Sequence, residues 1–71
     1  MGLKKNLSVK ENILQANKLL KEKKFLKAKR LYLDVIKKKP ENIVALNNVG
    51  IIHFKDGELN EAIKYFKKAV E

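Results

Sequence analysis

One histidine, two glutamates a helical turn apart and a dense set of lysines are the side chains here whose types could do chemistry. His53 is the single histidine among 71 residues. An imidazole acts as base, nucleophile or metal ligand only when partners converge on it. The residues around His53 supply an apolar stripe instead, so it is expected to pack, with one ring nitrogen satisfied. Glu58 and Glu61 lie one turn apart near a helix start, where acids favour the helix dipole. The chain has no cysteine, hence no disulfide framework, no thiolate metal site and no thiol nucleophile. No phosphate-cradling glycine loop, serine nucleophile setting or metal-ligand cluster occurs. The expectation is a protein that is not an enzyme and has no cofactor and no metal.

The lysines need separate treatment. The net charge is +9, and it is uneven. Residues 1–40 hold thirteen Lys or Arg against three acids, which is +10; residues 41–71 hold four lysines against five acids, which is −1. A basic half can be an electrostatic footprint for RNA, DNA or an anionic surface. Two features argue against that use. Lysine outnumbers arginine sixteen to one, whereas bidentate phosphate and base-edge recognition favours arginine. Nucleic-acid readers also interleave aromatics for stacking, and Phe25 and Tyr32 are expected in the core. Solubility is the preferred role for Lys18, Lys21, Lys24, Lys27 and Lys29; a basic nucleic-acid-associated helical module remains the second alternative.

The elements that must position these groups follow from periodicity. Ser8-Val9-Lys10-Glu11 is a capping-box pattern, and Val9, Ile13, Ala16 and Leu20 recur at helical spacing after it. A first helix is expected over 9–22, after a frayed segment at 1–8. A second, over 25–39, carries Phe25, Ala28, Tyr32, Val35 and Ile36 on one stripe. Pro40 ends it and pre-sets the start of a third at 41–55, with Ile43, Leu46, Val49, Gly50 and His53 facing inward. Asp56-Gly57 reads as a turn. A fourth helix over 59–71 presents Leu59, Ala62, Ile63, Phe66, Ala69 and Val70, with Asn60 as its expected N-cap. No segment alternates with period two. Apolar runs are only a few residues long, so no span crosses a membrane, and Met1 to Leu7 lacks the apolar core of a secretory signal. The expected location is cytoplasmic.

A shift of 34 residues brings the two halves into register. Ala28 and Tyr32 fall on Ala62 and Phe66, Ala16 on Gly50, Lys23 on Gly57, Val35 on Ala69 and Ile36 on Val70. A fixed period of this size marks a stacked repeat. The second copy resembles the tetratricopeptide repeat in Leu46, Val49-Gly50, Asp56-Gly57, Asn60-Glu61-Ala62, Phe66 and Ala69, with His53 where an aromatic is usual. The first copy is more divergent: Asn12 and Gln15 replace apolar pattern residues and Lys23 replaces the turn glycine. Its Ala28, Tyr32, Val35 and Pro40 match. The resemblance implies an all-α fold of two antiparallel helix–turn–helix hairpins, four helices stacked as a short α-solenoid. Residues 9–42 would be repeat 1, divergent and basic; residues 43–71 would be repeat 2, stopping before its closing Pro and without a capping helix.

That resemblance also implies a protein-interaction scaffold that binds a peptide or partner helix in a groove lined by the first helix of each hairpin. Mapped onto this chain, the groove residues are Lys10, Ile13, Leu14, Asn17 and Lys21, then Val44, Asn47, Asn48, Ile51 and Lys55. Asparagines can hold a peptide backbone through paired donors and acceptors, and the lysines suit an acidic partner. Some family members clamp a terminal carboxylate with two Asn and basic residues over three repeats. Asn17 and Asn48 match that pattern, but Ile13 stands where it has Lys, and two repeats stand where it has three. The alternative is a self-associating assembly module. Ile63, Phe66 and Val70 would form an uncapped apolar edge, giving a homodimer or helix exchange at high concentration.

Overall fold

The computed structural model describes residues 8–71; the expected frayed segment, Ser8 apart, lies outside them. Four helices follow in order: α1 Val9–Lys21, α2 Phe25–Lys38, α3 Ile43–Lys55 and α4 Leu59–Val70. No strand occurs among the described residues. α1 pairs with α2, α3 with α4, and α3 packs back on α2. The result is the expected all-α short solenoid of two hairpins. The molecule extends 43 × 26 × 15 Å.

Each helix boundary has a local cause. Ser8 caps α1 through a complete capping box: its Oγ accepts from the Glu11 N–H at 3.1 Å, and the Glu11 carboxylate accepts from the Ser8 N–H at 2.9 Å. α3 starts two residues later than expected. Asn42, and not a residue beside Pro40, caps it, its Oδ1 accepting from the Ala45 N–H at 2.9 Å. α4 starts at Leu59 as expected, but its cap differs. It opens directly after Gly57, with Glu58 in the cap position and no side-chain cap bond. Asn60 therefore lies inside the first turn and does not cap.

The turns inside the two hairpins are the same motif. After α1, the Lys24 N–H reaches the Leu19 carbonyl at 2.9 Å and the Lys23 N–H the Leu20 carbonyl at 2.9 Å. After α3, the Glu58 N–H reaches His53 at 2.9 Å and the Gly57 N–H reaches Phe54 at 3.0 Å. Both are Schellman caps, which need one left-handed residue. Gly57 takes it with φ +79°, and Lys23 takes it with φ +63°.

The core is centred on α2 and α3. Ala16, Ala28, Tyr32, Val35, Ala45, Val49 and Ile52 form one buried cluster, with Val9, Ile13, Leu19, Leu20, Phe25, Leu31, Ile36 and Tyr65 packed against it. Burying each large member contributes about 1.5–3 kcal/mol. α3 buries two faces because it lies between α2 and α4, so Ala45 and Ile52 are inside as well as Leu46, Val49 and Gly50. Ile43, expected on the inner stripe, is exposed at the first position of α3. Asn12 is the buried polar residue of the core, and no buried side-chain nitrogen or oxygen among the described residues lacks a partner. Gly50 is required by contact: a Cβ there would sit 2.6 Å from Cε1 of Phe66.

Candidate functional site

α1 and α3 are period-related, so their outer stripes match in register. Lys10, Leu14, Asn17 and Lys21 on α1 correspond to Val44, Asn48, Ile51 and Lys55 on α3. The spacing of four, three and four puts each set on one helix face. Lys10, Leu14, Asn17, Lys21, Val44, Asn47, Ile51 and Lys55 are exposed, and Asn48 is half-buried. Ile13 differs from the rest, being half-buried against the core cluster. Lys55 is engaged within the chain, its Nζ lying 5.8 Å from the centre of the Phe25 ring.

Tyr32 of α2 brings two of these residues together. Its side chain is fully buried, and its hydroxyl emerges between α1 and α3. There it donates a hydrogen bond to Oδ1 of Asn17 on α1. Asn48 on α3 also bonds it. Burial raises the Tyr32 hydroxyl above its ordinary pKa of 10, and the Asn48 bond pulls the other way. The hydroxyl gives its one hydrogen to Asn17, so in the second bond the Asn48 amide N–H is the donor. Both amides are thereby oriented. Asn17 is left with its N–H groups, and Asn48 with its carbonyl oxygen, as outward capacity. Exposed Leu14, Val44 and Ile51 flank the pair, and Lys10 and Lys21 lie at the ends of the α1 stripe. This hydroxyl was not found by sequence reasoning. The available signal was Tyr32 standing where its period partner is Phe66.

His53 and Glu58 face each other across the α3–α4 turn. Nδ1 of His53 lies 2.6 Å from Oε1 of Glu58, and the ring stacks on Tyr65 with centroids 5.6 Å apart. The pair ties the end of α3 to the start of α4. Glu61 lies 3.6 Å from Lys64 on the same helix. No group of three His, Cys, Asp or Glu among the described residues could hold a metal ion. No helix there is long and apolar enough to cross a membrane. One surface concavity lies between the α2–α3 turn and the end of α4, lined by Pro40, Glu41, Ile43, Lys68, Ala69 and Glu71.

The helix–turn–helix of α3 and α4, with Gly50 against Phe66 and Gly57 in the turn, is the part of the chain that a family model recognises. The tetratricopeptide-repeat family model matches residues 43–71. Residues 43–71 are similar to the tetratricopeptide repeat over that whole stretch. The match covers the second hairpin. The likeness of α1 and α2 to a tetratricopeptide repeat rests on the 34-residue register and on the shared Schellman turn. Tetratricopeptide repeats generally mediate protein–protein interaction and are typically non-catalytic scaffolds. Comparison with curated proteins and with solved structures gives no match.

Proposed function

We propose that the face shared by α1 and α3 binds an acidic peptide segment of a protein partner. The observation that carries this reading is the Tyr32 hydroxyl, which holds Asn17 and Asn48 side by side across two helices. An extended backbone offers alternating carbonyls and N–H groups. Asn17 donates to the former and Asn48 accepts from the latter. Leu14, Val44 and Ile51 give apolar contact, and the lysines select for acidic side chains. Tyr32 fixes the amides before binding, which lowers the ordering cost of association.

The test is capture of partners by the intact protein, compared with Asn17→Ala plus Asn48→Ala. Partners lost in the double variant, with helicity unchanged, support the reading. Partners retained at full recovery refute it. Tyr32→Phe should weaken capture less than the double variant, since both amides remain but are no longer held.

A further inference from the structure

The stripe that α2 buries is open on α4. On α2 it consists of Phe25, Lys29, Tyr32 and Ile36, all buried or half-buried beneath α1 and α3. The period partners on α4 are Leu59, Ile63, Phe66 and Val70. Here Leu59 is 53% exposed, Ile63 53% and Val70 84%, and Phe66 is half-buried against Gly50. The open stripe is also the more apolar, with isoleucine where the covered helix has lysine. We propose that two copies of this chain pair tail to tail, antiparallel, through α4.

Three observations select that occupant and geometry. Head-to-tail stacking would require α1 of one copy to dock as α3 does on α2. α3 docks with Ala45, Val49 and Ile52, which belong to the core cluster. The period-equivalent residues of α1 are Glu11, Gln15 and Lys18, all exposed and polar. Head-to-head pairing would bring together two halves carrying +10 each, which repel at short range. Tail-to-tail pairing joins the nearly neutral halves, at −1 each. The basic halves then lie at opposite ends of the pair, beyond the roughly 8 Å screening length of physiological salt.

The stripe itself is self-complementary. Its spacing of four, three and four is that of a two-helix seam. About a two-fold axis between residues 64 and 65, Leu59 meets Val70 of the second copy and Ile63 meets Phe66 of the second copy. Beside the seam Asn60 falls opposite Lys67 of the second copy, so no like charges are forced together. The arrangement is isologous and closes at two copies. Twelve residues make a seam about 18 Å long, far short of a standard interface, so the pair should form only at high concentration.

Sedimentation of the 71-residue chain from about 10 μM to about 1 mM tests this, across the range expected of so small an interface. The weight-average mass should rise from 8.2 kDa toward twice that value. Ile63→Lys, which installs the residue α2 carries, should stay at 8.2 kDa throughout with unchanged helicity by circular dichroism. Val70→Lys, at the most exposed seam position, is the second variant should the first lose helicity. The chain has no native cysteine, so register is read directly. Oxidising an equimolar mix of Leu59→Cys and Val70→Cys chains should give the mixed disulfide in excess over both homodimers. A monomer at every concentration, Ile63→Lys or Val70→Lys chains that dimerise like the parent, growth beyond two copies, or a statistical disulfide mixture would each overturn the proposal.

Discussion

Replacing Lys23 by glycine should stabilise this protein, although it deletes a side chain and shortens no loop. Lys23 sits at φ +63° in the α1–α2 turn, and Gly57 sits at φ +79° in the same Schellman cap after α3. A left-handed conformation costs an L-residue about 1–2 kcal/mol. Glycine removes that strain but raises the entropy of the unfolded chain, costing about 0.4–1 kcal/mol. The net expectation is a gain of about 0.5–1 kcal/mol, or roughly 2–8 °C in Tm for a domain of this size. Sterics do not complicate the comparison at the twin site: a Cβ at Gly57 would meet nothing within 4 Å. Gly57→Lys should therefore destabilise by a similar amount through backbone strain alone. Urea unfolding followed by circular dichroism reads both, with midpoints shifted in opposite directions and slopes unchanged. A Lys23→Gly midpoint equal to or below the parent's would refute the argument that the first repeat holds its turn under strain.

Other substitutions probe the packing and the caps. Gly50→Leu should destabilise by about 1–3 kcal/mol through overpacking, because even a Cβ would press on the Phe66 ring; thermal unfolding checks it. Asn42→Ala should cost about 1 kcal/mol by removing the side-chain cap of α3, measured the same way. Stability should also fall at alkaline pH. The folded Tyr32 pKa is raised above 10 by burial, so its contribution is complete below pH 10 and is lost as pH rises through the raised value. The Tyr32→Phe variant should lose that part of the alkaline decline, and identical pH profiles for the two proteins would count against it.

The helices were legible because each one keeps a 3.6-residue apolar rhythm and the caps and breaks lie between them. Periodicity could not reveal that α3 is covered on two sides. A residue such as Ile52 is inside only because α2 packs where no local pattern points. The start of α3 was misplaced for a related reason: Pro40 signals an end strongly, whereas Asn42 caps through one bond to Ala45 that is visible only in three dimensions. The turn at Lys23 was legible only as a missing glycine, and its left-handed backbone follows from the hydrogen bonds of Lys23 and Lys24. At the candidate site, spacing alone placed the two outer stripes in register. The link between them is a tyrosine on a third helix, whose hydroxyl spans a sequence separation of fifteen residues to Asn17.

On the proposed reading, the α1–α3 face holds an acidic peptide segment. The most direct measurement of this is an amide chemical-shift titration of the labelled protein with mixed acidic peptides, alongside neutral and basic mixtures of the same length. Saturable shifts from the acidic mixture, clustered at Leu14, Asn17, Asn48 and Ile51 and abolished by Asn17→Ala plus Asn48→Ala, are the predicted result. Shifts from all three mixtures alike, or shifts confined to α2 and α4, would contradict it.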